Sequence, residues 1–172
     1  MRIDIRPGDS AWEVAGPLLN AVWPPEIVAT KAWGKLATAP ADRRILVFDE
    51  GELVSHAGLF NRRGAWNGRD VRIGGVGGVA TAERYRRRGY ASAAMKVAIE
   101  ALRGDDDSEF GLLFCEQHNV AFYRRLGWQP FEGSVFAEQP QRHIHHSSVA
   151  ALVYDISIAP RDGTIDLRGL PW

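Results

Sequence analysis

The sequence predicts an α/β (α+β) domain, and three features carry that prediction. Residues 45–48 (ILVF) and 110–115 (FGLLFC) are short apolar runs of strand length. Asn67-Gly68 stands between two extended stretches, the strongest short-range hairpin signal. Residues 71–102 read as a strand, a basic glycine-containing turn and an amphipathic helix, with Ala91, Met95, Ala98, Ile99 and Leu102 on one side and Ser92, Lys96, Glu100 and Arg103 on the other.

A chain of 172 residues suits one domain, and no internal repeat or linker divides residues 1–172. An apolar fraction of 45% with six tryptophans supports a packed core. The 21 basic and 21 acidic residues cancel, which argues against a nucleic-acid partner. Cys115 is the single cysteine, so no internal disulfide forms and a reducing cytoplasm is the expected location. The first residues lack a signal-peptide pattern, and no apolar run is long enough for a membrane span.

Taken in order, residues 2–6 alternate as a strand, and Asp9 or Ser10 could cap a helix reaching Trp23. Pro24-Pro25 ends that helix, and residues 26–36 resume helical spacing through Ile27, Val28, Ala32 and Leu36. Residues 45–48 and 53–62 form strands about a turn at 49–51. The strand after Asn67-Gly68 holds Gly74, Gly75, Gly77 and Gly78, a concentration that suggests a bulge or a close approach of backbone by a ligand. Beyond an acidic loop at 104–109 and the strand at 110–115, a short helix carries Asn119, Phe122, Tyr123 and Leu126 and stops at Gly127. Residues 128–136 read as a strand broken by Pro130, 137–148 as a loop, and 149–158 as the final strand.

The helix at 90–102 presents unpaired N–H groups and a partial positive charge at its start, and Arg86, Arg87 and Arg88 add full charges beside it. That combination suits a pyrophosphate. Residues 75–80 match a dinucleotide fingerprint by letter only, since no helix starts there, and no Gly-Lys-Ser/Thr ending is present.

Arg86-Arg87-Arg88-Gly89-Tyr90-Ala91 resembles the Gln/Arg-x-x-Gly-x-Gly/Ala signature of the GNAT superfamily of N-acetyltransferases. Asn119, Phe122-Tyr123 and Gly127-Trp128 resemble that family's second signature. The resemblance implies a GNAT fold: a mixed, mostly antiparallel central sheet splayed between strands 4 and 5 and flanked by about four helices. It further implies acetyl-CoA as co-substrate, with its pyrophosphate at Arg86, Arg87, Arg88, Gly89, Tyr90 and Ala91, and its pantetheine arm along Val79, Ala80 and Thr81. Asn119 joins the same set.

Acetyl transfer to an amine needs a donor for the developing oxyanion, an acceptor for the amine proton and a donor for the leaving thiolate. The resemblance assigns the first to the Val79 backbone N–H and the last to Tyr123. Glu116, the first charged residue at the carboxyl end of its strand, is the expected base, acting through a water. Cys115 lacks an evident histidine partner and reads as a buried small residue. His143, His145 and His146 lack metal-ligand spacing, so no metal is expected, and their segment reads as a loop that could line an acceptor pocket.

Within the superfamily the resemblance is closest to the aminoglycoside 2'-N-acetyltransferases, through Val79-Ala80, Tyr123, Gly127-Trp128, Ser134-Val135, Asp155-Ile156-Ser157 and Trp172. In that group the carboxylate after the last tryptophan reaches the antibiotic, so Trp172 joins Trp33, Glu116, His143 and His145 as a substrate-contact candidate. Several of the group's acids are missing: Gly77, Ala32 and residues 143–146 stand where acids are expected. A polycation pocket needs carboxylates to offset desolvated ammonium groups. The expected acceptor is therefore a less cationic small-molecule amine, such as an amino sugar that also bears a carboxylate, as kasugamycin does. Another small amine, or an acetyl-CoA sensor without transfer activity, stays open, as does a homodimer.

Overall fold

The computed structural model describes residues 1–104 and 107–172. Part of the acidic loop expected at 104–109 therefore lies outside the described residues.

The sheet is mixed and mostly antiparallel. β3 (Glu52–Trp66) and β4 (Arg69–Thr81) form its central hairpin, joined at Asn67 and Gly68, both with positive φ as a type I′ turn requires. The first half of β3 pairs with β2 (Arg43–Asp49), which pairs with β1 (Arg2–Pro7). Its far end, at Ala65 and Trp66, pairs instead with β10 (Thr164–Asp166). On the other side β4 runs parallel to β5 (Phe110–Cys115), which pairs with β9 (Ala150–Asp155). The two-residue β6 (Gln129–Pro130) edges β9, while β10 leads to β7 (Ser134–Gln139) and β8 (Arg142–His145).

Alternation along the strands builds two cores. On one face Val76 and Leu113 meet Met95, Ala98 and Leu102 of α3 (Tyr90–Gly104), and Tyr123 of α4 (Val120–Arg124) joins them. On the other face Val71, Ile73, Phe110 and Leu112 pack with Val135 and Ile165. α1 (Trp12–Val22) covers Leu46 and Phe48 through Ala15. Burying each large apolar side chain is worth about 1.5–3 kcal/mol, so the period-2 pattern of β4 and β5 suffices to set their register.

Four expectations need correction. α1 starts at Trp12, and neither Asp9 nor Ser10 caps it: Ser10 Oγ donates to Pro7 O instead. The helix expected at 26–36 is only α2 (Pro25–Val28), because the chain beyond it takes partners elsewhere. Gln139 brackets Ala37, accepting from its N–H at 2.8 Å and donating to its carbonyl at 3.0 Å, and Ala39 N–H donates to Pro171 O at 2.7 Å. The segment with the histidines is not a loop but part of the β7–β8 hairpin. The strand at 149–158 is not the last, since β10 follows it.

Among the described residues no helix is long and apolar enough to cross a membrane, and no group of three or more His, Cys, Asp or Glu is placed to hold a metal ion.

Candidate active site

The parallel ladder between β4 and β5 ends at the pair Val76–Leu113, although β4 continues to Thr81 and β5 to Cys115. The strands part there. On the opposite side of β4 the register shifts between His56 and Gly58, so that Gly78 and Val79 together face Ala57. This is a β-bulge, and Gly78 takes φ of 58° to make it. The other glycines of the cluster answer to packing. A Cβ on Gly75 or Gly77 would stand 2.6 or 2.9 Å from the Trp172 ring, and one on Gly74 would stand 2.6 Å from Leu102.

Two buried polar residues sit behind the bulge. His56 Nδ1 lies 2.7 Å from Gly78 O, and its Nε2 lies 3.2 Å from Arg44 Nη1. A guanidinium can only donate, so Nε2 accepts and the proton resides on Nδ1, which donates to the Gly78 carbonyl. Burial holds His56 in this neutral form, lowering its pKa to about 4.

A cavity of about 640 Å³ opens at the parting of the strands. Trp12, Trp23, Trp33, Phe60, Phe114 and Trp172 supply aromatic walls, while Val79, Tyr123, Cys115 and Asn119 line it where β4 and β5 separate. Trp172 is stacked on Phe60 with ring centroids 5.4 Å apart and tilted against Phe114 at 5.5 Å. Tyr123 is 7% exposed, and burial, reinforced by neighbouring Cys115, pushes its pKa well above the usual phenol range. It therefore stays protonated across the working range of enzymes. Cys115 is pushed up to about 11, chiefly by burial, which argues against a thiolate nucleophile.

Glu116 lies at the cavity wall and is not free. Lys31 Nζ is 2.8 Å from Oε1, Trp33 Nε1 donates to the same oxygen at 3.4 Å, and His118 Nδ1 is 3.6 Å from Oε2. The Lys31 hydrogen bond is the main cause of a pKa below the usual carboxylate value. Glu116 is accordingly a weaker base than its strand-end position suggested. Of the histidines, His143 and His145 are exposed on β8, where both rings pack against Phe136 and His143 Nε2 lies 3.3 Å from Asp166. Neither lines this cavity. His146 does, buried with its ring in a T-shaped contact with Phe114, and its Nδ1 has no hydrogen-bond partner among the described residues.

On the far side of β4 the turn into α3 carries Arg87 at φ of 64° and Gly89 at φ of 86°. The left-handed conformation of a non-glycine residue costs on the order of 1 kcal/mol or more and concentrates at ligand clamps. Arg86, Arg87 and Arg88 are exposed around it, and space in front of Gly89 is open within 4 Å of where a Cβ would stand. Tyr90, by contrast, is committed to the fold, its hydroxyl donating to Asp49 on β2 at 2.5 Å. The acetyl-CoA expected from the sequence thus meets a fitting set of groups: a cationic helix start, a strand edge at Val79, Ala80 and Thr81 that β5 leaves unpaired, and a bulge facing Tyr123's cavity.

Lys31, Arg44, His56 and Trp12 were not singled out from sequence, and of the three histidines expected near an acceptor pocket only His146 reaches the cavity. Arg44 and His56 each fall inside apolar strand runs, and a polar residue at such a position is a usable signal of a buried network. Lys31 and Trp12 carried none.

The family described as acetyltransferase (GNAT) domain matches residues 7–131. An aminoglycoside 2'-N-acetyltransferase of Mycolicibacterium fortuitum is 32% identical over 90 residues, which are 52% of this chain and 45% of that protein, so the chain matches about half the length of that relative. Among solved structures, a GNAT family N-acetyltransferase from Escherichia coli in complex with CoA superposes with a TM-score of 0.63 at 15% identity, covering 97% of this chain and 89% of that one. A GNAT family acetyltransferase from Brucella melitensis in complex with acetyl-CoA gives 0.59 at 14%, covering 95% and 94%. These two establish the fold. The match over residues 7–131, more than half of the sequence, shows that the chain belongs to the GNAT family of acetyltransferases.

Proposed function

We propose that this chain is an acetyl-CoA-dependent N-acetyltransferase that moves an acetyl group directly to a primary amine of an amino-sugar antibiotic, one with fewer ammonium groups than the polycationic aminoglycosides. The observation that carries the reading is the cavity at the parting of β4 and β5. Its walls are aromatic, and among the described residues lining it only Asp9 and Glu116 have carboxylate side chains. Flat aromatic faces suit sugar rings and single cations. Two carboxylates, one already paired with Lys31, offset little of the desolvation cost of four or five ammonium groups. The partial relative from Mycolicibacterium fortuitum supports the amino-sugar class.

Acetyl-CoA supplies the activated acetyl group. Arg86, Arg87 and Arg88 with the Gly89 turn hold its phosphates, and Ala80 and Thr81 pair with its arm as an added strand would. Val79 N–H, displaced from the β3 register by the bulge, donates to the carbonyl oxygen as negative charge develops, a contribution of roughly 3 kcal/mol. Tyr123 keeps its proton for the departing sulfur. Glu116, charged and held by Lys31, steers the incoming ammonium group and passes its proton to water, with Trp33 and Trp172 flanking the sugar.

Release of thiol from acetyl-CoA, measured against kasugamycin, several polycationic aminoglycosides, a polyamine and amino acids, tests the reading. The expected result is kcat/KM at least about tenfold higher for kasugamycin than for the polycations. Equal turnover of both classes would overturn it, and tight acetyl-CoA binding with no turnover would point to a sensor.

A further inference from the structure

Arg44 is the buried charge that the acetyl-transfer chemistry does not use. It lines the cavity, is 8% exposed, and lies with its guanidinium carbon 5.0 Å from the Trp12 ring. Its Nε–H donates to Gly8 O at 2.9 Å and its Nη1 to His56 Nε2 at 3.2 Å. Its other terminal nitrogen, Nη2, has no hydrogen-bond partner among the described residues, and none of their carboxylates comes within ion-pair distance of the group. Asp9, also in the cavity wall, is near enough to favour the charge without pairing with it.

An arginine cannot shed its proton to escape burial, and an uncompensated buried cation is costly. Burial does disfavour this charge. The carbonyl of Gly8 and the lone pair of His56 hold the guanidinium in place but bring no negative charge. Its planar fork is thus pre-oriented, with donors to spare, beside the bulge where the acetyl group would be transferred: His56 bridges from Arg44 to the carbonyl of Gly78. Fixed forks of this kind pair bidentately with carboxylates.

We infer that Arg44, held by His56 and Gly8 against Trp12, forms an anion subsite in the acceptor cavity, so that the preferred acceptor carries a carboxylate as well as the amine that is acetylated. The inference rests on the amine-acetylating reading of the cavity and names the second group its substrate must bring. Glu116 marks the ammonium side of the site, and Arg44 marks the anionic side. A zwitterionic amino sugar satisfies both, whereas a polycationic one leaves Arg44 without a paired anion and adds repulsion to it.

The test uses two acceptors that differ by the anionic group: glucosamine, and muramic acid, in which the same sugar bears a lactyl carboxylate. Calorimetric titration of the full chain with each, in the presence of coenzyme A, should show muramic acid bound roughly tenfold tighter or more, the range of a charge-assisted pair. In R44Q that ratio should fall to about one, and in R44K, which keeps the charge and loses the fork, to an intermediate value. Ratios within one protein cancel any difference in folded fraction between variants. Equal binding of the two sugars by the wild type, including no measurable binding of either, would overturn the subsite, as would a preference that survives in R44Q and R44K. Thiol release measured alongside separates the two claims: a muramic acid preference without acetylation of any amino sugar leaves the subsite standing and sinks the amino-sugar reading.

Discussion

His56 donates from Nδ1 to the carbonyl oxygen of Gly78 across 2.7 Å, tying the bulged residue of β4 to a side chain of β3. That bond holds the Gly78 carbonyl, which belongs to the same peptide group as the Val79 N–H, at the register shift between β3 and β4. If the Val79 N–H is the oxyanion donor proposed above, H56Q should lower kcat for acetyl transfer by about tenfold to a hundredfold with a smaller change in acceptor KM, since that donor would be displaced while the aromatic walls remain. Steady-state kinetics on the two proteins checks the split.

The same histidine sets a pH dependence. Its pKa falls from 6.5 to about 4 in the folded chain, so between those values the unfolded chain binds the extra proton. Stability from this group is whole above pH 6.5 and is lost as pH falls toward 4, reaching a loss of about 3 kcal/mol. Urea unfolding of wild type and H56Q at pH 7.5 and pH 4.5 should show a larger acid-induced loss in the wild type. Equal losses would mean His56 is not buried neutral.

Tyr123→Phe should leave acetyl-CoA binding within about twofold and lower kcat by roughly a hundredfold or more, the usual contribution of a positioned general acid. The ring is packed in the α3 core and the change conserves its volume, so the fold should tolerate it. Unchanged turnover with intact cofactor binding would remove Tyr123 from the chemistry.

Lys31→Met should release Glu116 from its 2.8 Å ion pair. Because Lys31 is the main cause of the lowered Glu116 pKa, its loss raises that pKa toward the ordinary carboxylate value. If Glu116 acts as a carboxylate, the acid limb of the kcat/KM profile should move to higher pH in the variant. A profile that does not move would assign Glu116 to structure alone.

Gly75→Ala should destabilise the chain by about 1–3 kcal/mol, because its methyl group meets the Trp172 ring at 2.6 Å, too close for either to stay in place. In a Trp172→Phe background the cost should shrink, since the smaller ring vacates part of the overlap. Thermal melts of the two single variants and the double variant give the coupling.

What the chain declares by itself is what neighbours in sequence can enforce. The Asn67-Gly68 turn requires positive φ at adjacent residues and has it. The spacing of Met95, Ala98 and Leu102 dictates the face of α3, and Gly127 ends the helical segment before it in the left-handed conformation its lack of a side chain allows. The arginine turn and the tyrosine at position 123 were legible for the same reason, as short motifs on elements that local pattern alone predicts. Tertiary structure decided the rest. Residues 29–36 have helical spacing, yet the chain past α2 is drawn to β7 and Pro171, and those distant partners outweigh a propensity worth a few tenths of a kcal/mol per residue. Which histidine enters the cavity turned on the β7–β8 register, because side chains alternate along a strand: His143 and His145 share one side, against Phe136, and His146 takes the other, against Phe114. The pairing of Arg44 with His56, the seat of Trp172 on Gly75 and Gly77, and the hold of Lys31 on Glu116 join residues 12 to 97 positions apart. No local pattern encodes such contacts; they exist only once the sheet has closed and brought their strands together.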